Sequence, residues 1–202
     1  MRRTVLLVAT MALTLLVASG VALAVTKIGT DGPDTLRGTN GDDTLVGKGG
    51  NDVLFALDGE DTLLCGPGKD FLFGGSLTKV GEGNKTLVGG NGNDALLGGL
   101  DSDTMVGGDG NDFLNGGEFD QTPPAKDTIS AGDGNDVIDA INVPAGKDVV
   151  SCGDGIDRVL ADRADVIAPN CEMVFVGVRE IDAYYASIPA SFFPGLPPFP
   201  EG

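Results

Sequence analysis

From residue 29 to residue 160 the chain repeats a nine-residue pattern: six small or polar residues, then three residues with an apolar one in the middle. That middle position, the eighth of each unit, reads Leu36, Leu45, Leu54, Leu63, Leu72, Leu87, Leu96, Met105, Leu114, Ile129, Ile138, Val150 and Val159, and all thirteen are apolar. The preceding six are dominated by Gly, Asn and Asp, which tolerate positive φ and close backbone approach, so each unit predicts a turn followed by a short strand. A unit with one inward side chain cannot fold alone. Units must stack and share a narrow, linear core, which predicts an all-β solenoid.

The sixth position adds chemistry. It reads Asp34, Asp43, Asp52, Asp61, Asp70, Lys85, Asp94, Asp103, Asp112, Asp127, Asp136, Asp148 and Asp157. Strands stacked ~4.8 Å apart would pile these carboxylates into columns of like charge, which calls for cations between them. A turn that offers carboxylates and many free carbonyls suits calcium, with its six to eight oxygen ligands, better than the smaller and stricter magnesium. Zinc is disfavoured in a chain with no histidine. The twelve aspartates are therefore the candidate metal ligands, and Ca2+, as several ions, is the expected cofactor.

The unit has the form G-G-x-G-x-D-x-U-x, as in GTNGDDTLV (38–46), GGNGNDALL (89–97) and GGDGNDFLN (107–115). On these residues, from about 29 to 160, the chain resembles the RTX, or haemolysin-type, calcium-binding repeat family. The resemblance implies a parallel β-roll of about 13 nonapeptide repeats, in which two units make one coil and calcium lies between a turn and the turn two units later. Turns then fall on two edges. One holds residues 29–34, 47–52, 65–70, 89–94, 107–112, 131–136 and 152–157, and every turn there keeps the fourth-position glycine and the aspartate. The other loses the glycine at Asp101 and Ala125 and the aspartate at Lys85. Extra residues also break the period before Lys85 (Gly74 to Lys79), Asp127 (Gly116 to Gln121) and Asp148. We call these the regular and the interrupted edge. About six interturn ions are expected on the regular one, with Lys85 replacing an ion on the other.

Residues 1–24 carry Arg2 and Arg3, an apolar run and Ala22-Leu23-Ala24, which reads as a signal peptide. The expected division is signal peptide 1–24, roll 25–160, C-terminal cap 161–180 and a Pro-rich disordered tail 181–202. The N-terminal signal departs from the C-terminal export signal often carried by RTX exoproteins. Cleavage would leave 11 basic and 30 acidic residues, a formal charge of −19. Such a chain repels nucleic acid and anionic membranes and should fold as calcium binds. Sites with millimolar affinity would stay empty inside a cell and fill outside it. Of three cysteines, Cys65 and Cys152 stand four coils apart, ~19 Å, and cannot bridge. A Cys152–Cys171 disulfide is expected to staple the solenoid's end, leaving Cys65 free or paired between molecules.

The lack of histidine removes Ser-His-Asp, Cys-His and zinc-hydrolase arrangements, and no catalytic residue is assigned. The expected protein is a secreted calcium-binding repeat protein, not an enzyme, with a structural or surface-associated role and a cell-surface or matrix partner. The alternative is a small polysaccharide-active enzyme or adhesion module that uses the roll's face and its insertions.

Overall fold

The computed structural model describes residues 23–75, 83–117, 124–142 and 145–177. The expected signal peptide, apart from its last two residues, the bulk of the insertions and the tail lie outside them. The described chain is all-β, with sixteen strands in two parallel sheets of eight. Successive strands alternate between the sheets. One sheet holds β1 (Thr26–Ile28), β3 (Thr44–Val46), β5 (Thr62–Pro67), β7 (Thr86–Asn91), β9 (Thr104–Asp109), β11 (Thr128–Asp133), β13 (Val149–Asp154) and β15 (Val166–Ile167). The other holds β2 (Thr35–Arg37), β4 (Val53–Phe55), β6 (Phe71–Phe73), β8 (Ala95–Leu97), β10 (Phe113–Asn115), β12 (Val137–Ala140), β14 (Arg158–Ala161) and β16 (Met173–Val176). This is a parallel β-roll, two strands and two turns per coil.

Each of the thirteen eighth-position residues is paired with its counterpart one coil away, as in Leu54↔Leu72, Leu87↔Met105 and Leu114↔Ile138. From Leu45 to Val159 they are completely or almost completely buried and form one cluster with the small first-position residues Ala56, Cys65, Ala131, Ala140, Cys152 and Ala161. Because side chains alternate along a strand, the residues flanking the eighth position face outward. One sheet presents threonines there, with Thr26, Thr44, Thr62, Thr86, Thr104 and Thr128 in register. The other presents apolar residues. Phe55 and Phe73 stack at 4.9 Å, and Ala95, Phe113, Val137 and Leu160 join Ile141 in a second buried cluster.

Two expectations are refined. Gly74 and Gly116 are not extra residues ahead of a turn: Gly74, Gly98 and Gly116 donate in sequence to the carbonyls of Leu97, Asn115 and Asp139, at 2.8, 2.9 and 3.0 Å. They hold the first position of their turns, so the insertions open inside the turn. The physical reason is that the first position carries the coil-to-coil ladder, whereas the outer part of the turn can bulge into solvent without breaking it. The segment expected to cap the last coil is itself a shortened coil. β15 pairs with β13 (Val150↔Ile167) and β16 with β14 (Val159↔Val174).

Cys152 and Cys171 are joined by a disulfide across a sequence separation of 19. Cys65 is free and buried in the core. Burial, reinforced by Asp70, Asp94 and Asp52, pushes its thiol far up, which leaves an inert, protonated group out of reach of another molecule.

Candidate metal centre

The sixth-position aspartates sit at the end of each turn, just before the strand, with their side chains folded back beneath it. Along the regular edge each backbone N–H donates to Oδ1 of the next coil's aspartate. The bonds Asp34 to Asp52, Asp52 to Asp70, Asp70 to Asp94, Asp94 to Asp112, Asp112 to Asp136 and Asp136 to Asp157 measure 2.7–2.9 Å. The interrupted edge has the same ladder from Val25 through Asp43 to Asp61, and from Lys85 through Asp103 and Asp127 to Asp148. One carboxylate oxygen of each of these aspartates after Asp34 is thus committed to stacking the coils.

The second oxygen separates the turns. On the regular edge, Oδ2 of Asp52, Asp70, Asp94, Asp112, Asp136 and Asp157 is buried with no hydrogen-bond donor. Buried carboxylate oxygens are costly to leave unmatched. Burial pushes these carboxyls up, against the N–H bond each accepts and with help from neighbouring acids, aspartates for most and Glu172 for Asp157. Asp112 reaches about 8, Asp94 and Asp136 about 7, and Asp70 about 6, while Asp52 and Asp157 are also raised. A column of acids whose ionisation is held back is what burial without a counter-cation produces.

Asp34 and Asp43 differ. Oδ2 of Asp34 accepts from the Thr30 N–H at 2.5 Å and hydroxyl at 2.9 Å, and these bonds lower its pKa. Oδ2 of Asp43 likewise accepts from the N–H and the hydroxyl of Thr39, the latter 3.0 Å away. The first turn on each edge is closed by a threonine at its second position, where most later turns carry glycine.

Backbone carbonyls complete the arrangement. Among the described residues no three His, Cys, Asp or Glu side chains converge as a metal cluster, so an ion held here needs main-chain oxygen as well as carboxylate. The five six-residue strands of the threonine sheet run on into the regular-edge turns, where Gly66, Gly90, Gly108, Gly132 and Gly153 stack in register. Fourth-position glycines donate to the next turn, as Gly92 does to Asp109 at 2.7 Å and Gly110 to Asp133 at 2.6 Å. Gly92 has φ +138°, and a Cβ there would stand 1.4 Å from the Gly68 carbonyl oxygen. Only glycine lets successive fourth-position carbonyls stack so closely.

Lys85 identifies the cation-attracting atoms directly. Its buried ammonium donates to the carbonyls of Gly59 (2.6 Å) and Gly83 (2.8 Å) and lies 3.6 Å from Oδ2 of Asp61. Burial raises Asp61 to about 6, and Lys85 is among the groups that restrain it. Fourth-position carbonyls of two successive turns and the sixth-position carboxylate of the first thus surround one positive charge.

Three features lie beyond the sequence reading. Both ladders continue past Asp157 and Asp148: Asp157 donates to Glu172 Oε2 and Asp148 to Asp165 Oδ1, each at 3.0 Å. The signal was an acid two residues before an apolar one, in D-V-I and E-M-V, hidden by a shortened period. At the fifth position an asparagine ladder runs the opposite way, from Asn111 N–H to Asn93, Asn135 to Asn111 and Ile156 to Asn135. The third is the threonine closure of Asp34 and Asp43.

A β-roll whose stacked turns aim carboxylates and carbonyls at shared points is a calcium-binding repeat architecture. The family model for the RTX calcium-binding nonapeptide repeat matches in four copies, over residues 28–63, 48–76, 80–120 and 125–140. The chain belongs to that family. Neither the curated proteins nor the solved structures gave a match.

Proposed function

We propose that the protein is a secreted, non-enzymatic calcium-binding roll that folds as it meets calcium outside the cell and serves a structural or surface-associated role. The observation that carries the reading is the column of six buried Oδ2 atoms without donors on one edge, from Asp52 to Asp157. The proposed ligands are the sixth-position aspartates, those six foremost, with fourth-position carbonyls beside them. Calcium would supply the missing positive charge and accept oxygen ligands in irregular number, which suits turns of unequal sequence. The high acidity of the chain supports coupled binding and folding, because the ion-free turns would set buried carboxyls against one another. Export is supported by the signal-like residues 1–24 and by the disulfide, which persists in oxidising compartments.

The test is far-UV circular dichroism of residues 25–202 during calcium titration, with magnesium as control and calorimetry for stoichiometry. A cooperative gain of β structure with calcium alone, at about six ions, is the expected result. A chain equally structured in chelator overturns ion-driven folding. A second reading, an adhesion module, is favoured by the Phe55–Phe73 stack on the outer face of the aromatic sheet. Replacing both rings by serine would abolish surface attachment under that reading and leave calcium stoichiometry unchanged.

A further inference from the structure

Lys85 occupies the sixth position of the turn that carries the first insertion, where all the other units carry aspartate. Its ammonium and the Asp61 carboxylate are both fully buried, with side-chain exposures of 1% and 0%. The groups it meets, the Gly59 and Gly83 carbonyls and Asp61 Oδ2, are oxygens of negative or partly negative charge. Equivalent positions recur on the regular edge as Gly68, Gly92 and Asp70, with aspartate, Asp94, where this edge has lysine.

We propose that Lys85 is a tethered cation that closes this one junction of the roll without calcium. The inference rests on the reading of the remaining turns as calcium sites. Its location has a physical reason. The sequence carries inserted residues between Gly75 and Gly83, and a longer loop costs more entropy to close. A diffusible ion would have to meet ligands on both sides of that loop at once. A lysine carried by one wall presents its charge to the other at high effective concentration. The clasp sits beside a main-chain rung between β5 and β7, in which the Thr86 N–H donates to the Asp61 carbonyl at 2.8 Å as equivalent residues do at the other junctions. Two coils in the middle of the roll are thereby held before any ion arrives, and calcium-dependent stacking can propagate from them in both directions.

Calorimetric calcium stoichiometry of the full chain tests this beside Lys85→Asp and Lys85→Met, with hydrogen exchange of the Thr86 amide measured in chelator. Lys85→Asp should bind one more ion per chain than the unaltered protein. Lys85→Met should bind no extra ion, and in chelator its Thr86 amide should exchange at least about tenfold faster, since one partner of a buried ion pair is gone. A Lys85→Asp chain that folds in excess calcium with unchanged stoichiometry overturns the clasp. So does unchanged Thr86 exchange in Lys85→Met. An unaltered chain that binds no calcium sinks the reading of the other turns instead, and the exchange comparison then decides the clasp by itself.

Discussion

The two edges of the roll share one backbone ladder and differ in what fills the space behind it. On both, sixth-position N–H groups donate to the next coil's carboxylate. On the regular edge the turn glycines also stack in register and six buried oxygens are left open. On the interrupted edge the sequence of turns is broken by insertions, and one junction carries an internal ammonium. The ladder is a requirement of stacking and tolerates variation outside it. The aligned glycines are what sets the regular edge apart, and they persist only where every turn has the same length.

The comparison yields graded expectations. Replacing Asp94 and Asp112 together by alanine removes two adjacent open carboxylates and two ladder acceptors. It should lower calcium stoichiometry by about two and raise the calcium needed for folding on the order of tenfold or more, as loss of charged ligands weakens such sites. Asp103 and Asp127 replaced in the same way should shift the folding midpoint less. Equal losses on both edges would erase the distinction.

Gly92→Ala forces a side chain into 1.4 Å approach to the Gly68 oxygen at φ +138°, and should cost about 3 kcal/mol or more. Asp101→Ala, at the same turn position on the interrupted edge, already has a side chain at φ +81° and should stay within about 1 kcal/mol. Denaturant unfolding in saturating calcium measures both. Opening the Cys152–Cys171 disulfide by Cys171→Ser should cost about 3 kcal/mol, from the loop it closes. The loss should be local, seen as faster amide exchange in β14 and β16.

The pH response should change sign with calcium. Carboxyls of Asp94, Asp112 and Asp136 have folded values of about 7, 8 and 7, above the ordinary 3.8. A raised folded value means the fold prefers the protonated acid. Ion-free stability is therefore fullest below pH ~4 and falls as pH climbs through about 7 to 8. With calcium the ionised form is the ligand and the folded value drops below the unfolded one, so stability should hold above pH ~4 and be lost on acidification below it, and binding at neutral pH should release protons. A thermal-melt series with and without calcium checks the crossing. The smallest effect is expected of Thr30→Val, which deletes the hydroxyl bond to Asp34 in a turn that is already solvent-exposed. It should cost about 1 kcal/mol or less and leave the calcium stoichiometry unchanged.

Much of this was legible along the chain because the repeat is local and strict. Nine-residue spacing names the inward residues from Leu36 to Val159 and the carboxylates two positions before them, and the cysteine positions favour the Cys152–Cys171 bridge. The coils at the ends were less legible. Val25, Asp165 and Glu172 join the ladders through register with a neighbouring coil and not through motif, since Val25 contributes only its N–H and Glu172 follows a shortened turn. Gly74 and Gly116 look like the start of insertions until the pairing with Gly98 shows them holding a turn's first position.

By itself, then, the sequence determined the solenoid, its narrow apolar core and the acidic character of its turns, because those follow from residue type at fixed spacing. Tertiary structure decided which oxygens are open. The second oxygen of Asp34 is taken by a threonine in its own turn, that of Asp61 by a lysine from the next coil, and that of Asp112 by no donor at all. These aspartates look alike in the repeat, and only the atoms stacked above and below them set how much charge each still needs.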